Sequence, residues 1–208
     1  MVDHKGDDTD GAFGRGERPE RRIRADAQRN LNTLLKAAMA VFTKSGVDAP
    51  MREIAEAAGV GVGTIYRHFP ERSHLIAAVF RHEIDACADA APALAARHAP
   101  EEALRRWVER YVDFISAKRG LAAALNSGDP AYDALPAYFE ERLRPALEGL
   151  LDAAVAAGCI RSGVDAYDLL AAMAGLSQCG SGREQDPARV RRMLGLLLDG
   201  LRYGAGRD

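Results

Sequence analysis

The chain has 208 residues, of which 48% are hydrophobic and 6% are aromatic, and this suits one domain or two small ones with a buried core. Alanine and leucine dominate over β-branched and aromatic residues, which favours helices over strands. A formal net charge of −2 excludes a protein that is basic over its whole surface. The charge is uneven, however: residues 21–72 hold 9 basic and 5 acidic residues, whereas residues 73–208 hold 16 basic and 19 acidic residues.

The three cysteines, Cys87, Cys159 and Cys179, lie far apart in sequence and form no C-x-x-C pair. We therefore expect reduced thiols, no zinc knuckle or other metal site, and no cofactor. We recognise no signal peptide, and no apolar run approaches the roughly 20 residues that a membrane-spanning helix needs. These features predict a cytoplasmic protein with no membrane partner.

The first 20 residues are rich in Gly, Asp and Arg, so we expect them to be disordered. Arg21, Arg22 and Arg24 follow as a basic arm. A helix is predicted next and should end near Gly46. Its apolar positions recur at spacings of three and four, at Leu31, Leu34, Leu35, Ala38, Met39 and Phe42.

Two short helices are predicted after this one. Pro50 suits the start of the first, and Gly59 suits its end. The apolar positions of this helix are Met51, Ile54, Ala55 and Ala58. The second short helix is predicted from about Val62 to Phe69, and Pro70 marks the next boundary.

The rest of the chain also shows helical periodicity, which predicts an all-α protein of about nine helices. A long helix should follow Pro70, with its end disturbed by Pro92. Further helices are expected at residues 101–118, 120–126, about 130–157 with a kink at Pro145, 165–179 and 187–203. We expect a compact three-helix head in front of a body of long helices.

The stretch GVGVGTIYRHFP, residues 59–70, has three interpretations. A phosphate-binding loop needs a preceding strand, and a P-loop also needs a Lys followed by Ser or Thr, but here a helix precedes and no lysine follows. A di-iron site needs two Glu-x-x-His motifs, and Glu71 with His74 supplies one. His68 and His82 add no clear ligand set.

A helix-turn-helix is the third interpretation, and all parts of the stretch fit it. Glycines supply the turn between two short helices, and the second helix presents its first side chains to base edges in the major groove. Small side chains at its start permit close approach to DNA, namely those of Val62, Gly63 and Thr64. Ile65 and Phe69 form the buried side, which leaves Tyr66, Arg67 and His68 mostly outside. Alternatively, Tyr66 is a half-buried packing residue and His68 a capping residue.

Residues 25–80 resemble the DNA-binding head of the TetR (tetracycline-repressor) family of regulators. The matching run is LLKAAMAVFTKSGVDAPMREIAEAAGVGVGTIYRHFPERSHLIAAVF, with the specific signature I-A-x-x-A-G-V…T-x-Y-x-H-F. The resemblance implies an N-terminal helix-turn-helix domain at residues 25–71, after a tail and arm at residues 1–24. Residues 72–208 would then bind a ligand and form the dimer.

The resemblance also implies individual roles in DNA binding. Arg52 can reach a base or a phosphate, whereas Tyr66 and His68 resemble a pair that grips phosphates. Arg67 is placed for a base or sugar contact. Val62, Gly63 and Thr64 open the recognition helix, and Arg72 is expected at the DNA backbone. Arg24 of the basic arm is a further candidate for DNA binding. Gly61 departs from the serine frequent in the family and removes one hydroxyl contact.

By the same resemblance, the last two predicted helices form a homodimer. The expected interface residues are small or apolar: Ala172, Gly175, Val190, Met193, Leu194, Leu197, Leu198 and Leu201. The alternative is that the leucine stripe packs inside one chain.

A ligand pocket is expected between the helices of the body. Its candidate lining is Trp107, Tyr111, Phe114, Tyr138, Phe139, Leu143, Met173 and Leu176. Plain core packing is the alternative for each of these residues. Few charges occur on these faces, so we expect an apolar or aromatic small molecule rather than a polyanion, and the long fourth helix should couple it to the head.

The sequence thus predicts a ligand-responsive repressor, not an enzyme, that binds a near-palindromic DNA operator as a dimer. A helical-bundle enzyme is one alternative, but no paired acid–base or nucleophile constellation supports it. A redox sensor acting through Cys87, Cys159 or Cys179 is another, against the interpretation that these are small buried thiols.

Overall fold

In a computed structural model, the backbone is described for residues 17–118, 122–125, 127–178 and 187–205. Side chains are described for residues 25–116, 124–125, 127–177 and 188–205. All regular structure in these ranges is helical, as the sequence predicts. The α-helices are α1 (Glu17–Ser45), α2 (Met51–Ala58), α3 (Val62–His68), α4 (Arg72–Ala88), α5 (Ala90–Ala95), α6 (Pro100–Lys118), α7 (Ala122–Leu125), α8 (Leu135–Ala156), α9 (Ala166–Gln178) and α10 (Pro187–Arg202), with a 3-10 turn at Pro130–Tyr132.

The first helix begins earlier than the sequence analysis predicts. Residues 17–20, expected to be disordered, are helical, and the backbone of the basic arm continues the same helix. Glutamate and arginine are good helix formers, and Pro19 falls in the first turn, where no backbone N–H is needed. Residues 1–16 of the expected tail lie outside the described residues.

A short additional helix, α5, follows α4. We expected Pro92 to disturb the end of one long helix, but α4 ends at Ala88 and a new helix starts at Ala90. Pro92 lies in the first turn of α5, a position that tolerates proline. In the same way Pro136 lies in the first turn of α8, whereas Pro145 lies inside that helix.

The turn between α2 and α3 depends on the backbone of Gly59. This residue has φ +66° and ψ +29°, a left-handed conformation that glycine adopts without a steric penalty. Its N–H donates to the Glu56 carbonyl at 3.2 Å, and the N–H of Val60 donates to the Ala55 carbonyl at 3.0 Å. These two bonds form the Schellman ending that stops α2 and turns the chain into α3.

We use the name head for α1–α3 and the name body for α5–α10. Phe42, Ile54 and Ile65 are almost completely buried in the head, and each of the three helices supplies one of them. Apolar residues are buried along the length of α4, from Leu75 to Cys87. This helix contacts α1 of the head and α5, α6 and α8 of the body, so it belongs to the cores of both parts.

The body is built around α6, α8 and α9. Its largest fully buried side chains are Trp107, Tyr111, Leu143, Leu147 and Met173. Within the described residues, no helix is long and apolar enough to cross a membrane.

Replacing Gly59 by alanine should lower the free energy of unfolding by about 1 kcal/mol, because a Cβ atom disfavours the left-handed backbone. Gly149→Ala is the matched control. Gly149 lies inside α8 with open space around an added Cβ, so alanine there should raise the same quantity by about 0.5–1 kcal/mol. Urea unfolding followed by circular dichroism measures both, and equal effects of the two changes would contradict the assigned role of Gly59.

Candidate nucleic-acid interface

The start of α3 presents a bare backbone at the surface. Gly61 precedes the helix with φ −73° and ψ 143°, and its carbonyl accepts a hydrogen bond from the Thr64 N–H at 2.9 Å. A Cβ added at Gly61 would meet only the Thr64 hydroxyl, at 3.9 Å, and one added at Gly63 would meet nothing within 4 Å. Unlike Gly59, these two glycines are required neither by backbone conformation nor by packing within the chain. Their small size leaves room for a partner outside it.

The remainder of α3 divides into a buried and an exposed side. Ile65 is fully buried and Phe69 is partly buried against the core, which confirms the predicted inner side. Tyr66, Arg67 and His68 are exposed, and 49% of the Tyr66 surface is accessible. Tyr66 is therefore one of the few large aromatic side chains that this structure places outside, next to two basic residues. Val62 and Thr64 are half-buried at the start of the helix.

Arginines surround this exposed surface. Arg52, in the first turn of α2, donates from Nε to Glu56 Oε1 at 3.0 Å, and both side chains are exposed. Arg67 donates from Nε to the Gly63 carbonyl at 3.2 Å. In both arginines this contact uses Nε, so the Nη donors are not part of it.

Arg72 has a different position from the other arginines. It is half-buried and donates through Nη1 to the Val47 carbonyl in the loop between α1 and α2. Arg72 therefore ties the start of α4 to the head. The side chain of Arg24, predicted to reach DNA, lies outside the described side chains.

The helices predicted to form a dimer show two kinds of surface. Ala172 and Gly175 are exposed on α9, and Val190, Met193, Leu197 and Leu198 are half-buried on α10. Leu194 and Leu201 are only 4% and 5% exposed, so their own chain covers them. The dimer interface stays a prediction, and its more accessible candidates on α10 are the four half-buried residues.

The sequence analysis gave no role to three exposed large apolar residues, of which Tyr203 is the most exposed at 78%. Leu196 is 73% exposed and Tyr167 is 53% exposed. Leu196 lies on the face of α10 opposite the leucine stripe, so its apolar side chain was the only feature of the sequence that could have drawn attention to it. No pattern in the sequence indicated that Tyr167, in the first turn of α9, is exposed.

Four of the five aromatic residues predicted to line a pocket form one cluster in the body. Tyr111 lies with its ring centroid 5.7 Å from that of Trp107, 6.4 Å from that of Phe114 and 6.2 Å from that of Phe139. Phe114 also lies 6.3 Å from Phe139. Phe80 of α4 joins the cluster at 5.5 Å from Phe114, a residue that the sequence analysis did not assign to it. Leu143 and Met173 are fully buried, and Leu176 is half-buried.

The polar atoms of this aromatic cluster bind the chain itself. Trp107 Nε1 donates to the Cys87 carbonyl at 2.9 Å, and the Tyr111 hydroxyl donates to the Leu170 carbonyl at 3.1 Å. Burial raises the pKa of Tyr111 far above its usual value, so the hydroxyl remains a donor. Ring faces and aliphatic groups are thus what the cluster can offer to a ligand.

Tyr138 does not share this environment, although it was predicted to line the pocket. Its hydroxyl donates to Asp85 Oδ1 at 2.7 Å, and Arg81 lies over its ring at 5.5 Å from the centroid. Adjacent residues on α8 point in different directions, so Tyr138 contacts α4 while Phe139 contacts the aromatic cluster. We therefore revise its assignment to the pocket lining.

The surroundings of the cysteines and histidines bear on two other interpretations of the sequence, a redox sensor and a metal site. Cys87 is 1% exposed, and burial, the largest cause, raises the pKa of its thiol to about 12. Cys159 is half-buried, and Cys179 lies outside the described residues. Among the described side chains, no group of three or more His, Cys, Asp or Glu residues is arranged to hold a metal ion. His68 and His74 are exposed on different helices, and the buried Nε2 atom of His82 has no hydrogen-bond partner.

Comparisons with known proteins agree with this geometry. Residues 34–79 match the model of the bacterial regulatory proteins of the tetR family, and residues 99–203 match the C-terminal domain of SbtR-like transcriptional regulators. The chain is 43% identical to the TetR transcriptional regulator SCO0520 from Streptomyces coelicolor, with a TM-score of 0.72, over 82% of this chain and 97% of that one. A TetR regulatory protein from Mycobacterium vanbaalenii is 34% identical with a TM-score of 0.65, over 86% and 99% of the two chains.

Among curated proteins, the repressor KstR from Mycolicibacterium smegmatis is 40% identical over 68 residues. This match covers 32% of the present chain and 33% of KstR, so the chain aligns with about a third of the length of that relative.

The raised pKa of Cys87 predicts that its thiol is unreactive in the native protein. At pH 8 a pKa of about 12 leaves only about one thiolate in ten thousand, and this fraction grows as pH rises towards the pKa. Iodoacetamide should therefore alkylate Cys159 well before Cys87, and Cys87 only after unfolding in guanidinium. Peptide mass spectrometry measures both sites. Alkylation of Cys87 at the rate of Cys159 would support a thiol sensor instead.

Proposed function

Because this chain belongs to the TetR family of bacterial transcriptional regulators, we propose that it is a repressor that responds to a small molecule. The observation that supports this best is the surface of α3, where two glycines without a structural need lie beside exposed Tyr66, Arg67 and His68. The match of the KstR repressor adds support for repression.

In this proposal α3 enters the major groove with its first residues at the base edges. The bare backbone at Gly61 and Gly63 allows close approach, and Val62 and Thr64 lie at the same end of the helix. Arg52, Thr64 and Arg67 supply the polar contacts to bases. Their number is small, so the protein recognises few base pairs in each half-site.

Phosphate contacts fix the helix in the groove. Tyr66 and His68 extend from the exposed side of α3, and each can donate a hydrogen bond to a phosphate oxygen. Arg72 reaches the DNA backbone with donors that remain beside its bond to Val47. Arg24, on the N-terminal extension of α1, adds a contact at the edge of the site.

We propose that two chains pair through the exposed surfaces of α9 and α10. Ala172 and Gly175 allow the two α9 helices to approach closely, and Val190, Met193, Leu197 and Leu198 supply the apolar flanks. Such a twofold dimer places two heads about 34–36 Å apart, on successive major grooves of a near-palindromic operator.

The effector in this proposal is an apolar or aromatic small molecule that binds at the aromatic cluster. The indole N–H of Trp107 and the hydroxyl of Tyr111 are already bonded to backbone carbonyls, so the cluster favours stacking over recognition of charge. A ligand that prefers one position of α4 lowers operator affinity by its differential binding to the two states, typically about 1–3 kcal/mol.

Replacing Arg52 by alanine should weaken operator binding by about tenfold or more, since a base-contacting arginine contributes about 1–3 kcal/mol. The measurement is fluorescence anisotropy with the DNA upstream of the protein's own gene, or with a site selected from random DNA, titrated with salt. Each phosphate neutralised by a basic side chain should contribute about −0.9 to the slope of log K against log salt. Tyr66→Phe removes an uncharged donor to phosphate, so it should weaken binding and leave this slope unchanged.

Arg144→Ala is the matched control for these substitutions. It removes an arginine of α8 that pairs with Glu148 and lies outside the head, and DNA affinity should stay unchanged. Gly63→Ala is the sharper test, because the added methyl group meets nothing in the chain and should maintain or raise stability while it weakens binding. Two chains should bind each operator. A wild-type protein that selects no site from random DNA would contradict the proposed function.

The neutral fluorophore N-phenyl-1-naphthylamine should bind the aromatic cluster and quench Trp107, the single tryptophan of the chain. Phe139→Ala should weaken this binding, because half-buried Phe139 stacks against Phe114. Fluorescence titration measures the affinity, and Tyr167→Ala, which removes an exposed aromatic ring elsewhere in the body, is the control. A densely charged molecule recovered with the purified protein, together with no binding of the fluorophore, would contradict this effector class.

A further inference from the structure

A group of polar side chains joins α4 to α8 beside the aromatic cluster. Tyr138 donates from its hydroxyl to Asp85 Oδ1 at 2.7 Å, and Arg142 donates from Nε to the same oxygen at 2.8 Å. Arg142 also donates from Nη2 to Asp89 Oδ1 at 2.9 Å, and Arg81 lies over the ring of Tyr138. We call these five residues the polar clamp.

The spacing within the polar clamp matches one face of each helix. Arg81 and Asp85 are four residues apart on α4, and Asp89, four residues further on, is the C-cap of that helix. Tyr138 and Arg142 are four apart on α8. Residues at this spacing lie one above the other, so two rows of side chains meet along about two helical turns. The contacts therefore resist both sliding and rotation of α4 against α8.

This arrangement differs from most of the other described ion pairs of the body, which lie within one helix, although Arg202 of α10 also pairs with Glu101 of α6. Arg105 with Glu109 and Arg144 with Glu148 each pair one turn apart on a single helix, so they fix no helix against another. Arg142 instead joins two helices through Asp85. Asp85 lies 57 residues before Arg142 and 53 residues before Tyr138 in the sequence. Both Asp85 and Arg142 are only 36–37% exposed, which reduces screening by water compared with a fully exposed pair.

The opposite side of the same end of α4 is held by α6. Trp107 donates from Nε1 to the Cys87 carbonyl, and Arg110 donates from Nε to the Ala86 carbonyl at 3.2 Å. Carbonyls in the last turn of a helix lack partners within the helix, so side chains from a neighbour can satisfy them. Directional bonds from two body helices thus fix the C-terminal end of α4, whose N-terminal end lies in the head.

We propose that Tyr138 and Arg142 are positioning residues that act through Asp85 to set the place of α4, and thereby the affinity of the distant head for DNA. This inference rests on the proposed function as a DNA-binding regulator. Phe139 lies in the aromatic cluster and its neighbour Tyr138 lies in the clamp, so a ligand that displaces Phe139 also strains the bond to Asp85. The clamp is then the part of the structure through which an effector changes DNA binding.

The test uses Tyr138→Phe and Arg142→Met in the full chain. The first removes one hydroxyl and keeps the ring, and the second removes the charge and keeps the aliphatic stem. Each should change operator affinity by about fivefold or more, although neither residue touches DNA. The slope of log K against log salt should stay that of the wild type, because the phosphate contacts are the same.

Two further readouts separate a positioning role from plain stabilisation. Emission of Trp107 in the absence of DNA should shift in both variants, because this indole donates to the end of α4. Tyr138→Phe and Asp85→Asn should be non-additive in operator affinity, since the two residues act through one bond. Glu148→Gln, which removes an ion pair within α8, should change none of these quantities.

The outcomes distinguish this inference from the proposed function. If the wild type binds its operator and both clamp variants bind within twofold of it, the positioning role is wrong and the proposed function stands. The positioning role is also overturned if the loss of operator affinity in the clamp variants is fully explained by the fraction of protein that is unfolded, as measured by circular dichroism. If the wild type selects no DNA at all, the proposed function itself fails, and the inferred control of DNA affinity by the clamp fails with it. The Trp107 emission of the clamp variants, which needs no DNA, then still shows whether the clamp positions α4.

Discussion

The structure depends on α4 being packed into two cores at once. Leu75 and Val79 are fully buried nearer its start, and Ile84 and Cys87 are buried nearer its end. Fully burying such a side chain contributes about 1.5–3 kcal/mol, so neither half of α4 can leave its core without a large loss of stability. The helix therefore moves as a unit or not at all. A small displacement at its body end must appear at its head end, which makes α4 the connection between any ligand in the body and DNA at the head.

The three glycines around α3 show how stability and function divide in the head. Gly59 serves the fold, since only glycine adopts its left-handed backbone easily, and the Schellman bonds of the turn depend on it. Gly61 and Gly63 make no packing contact that requires a glycine. Gly61 is the N-cap of α3, where glycine is tolerated, whereas Gly63 lies inside the helix, where glycine costs about 1 kcal/mol relative to alanine. Residues that break a local rule without a structural gain are expected at functional sites. This contrast supports the start of α3 as the proposed contact surface more strongly than the charges do.

The sequence was informative where function depends on local spacing. The helix-turn-helix, the buried Ile65 and the exposed Tyr66 follow from residues close together in the chain, and the structure confirms them. Periodicity identified a leucine stripe on α10, but it could not show that Leu194 and Leu201 are covered by their own chain, because that depends on the neighbouring helix. The place of Tyr138 was missed for the same reason. Its partner Asp85 is 53 residues away, and no local pattern connects the two.

The body combines an apolar cluster with a polar clamp, and the two respond differently to a displacement. Ring contacts between Tyr111, Phe114 and Phe139 are non-directional, so they adapt gradually to a ligand of varying shape. The bonds of Asp85 to Tyr138 and Arg142 depend on distance and angle, so they weaken steeply once α8 shifts against α4. In the proposed mechanism, ligands of different shape act on an adaptable cluster and weaken the same directional bonds between α4 and α8. Different ligands can then lower operator affinity through one change in the position of α4.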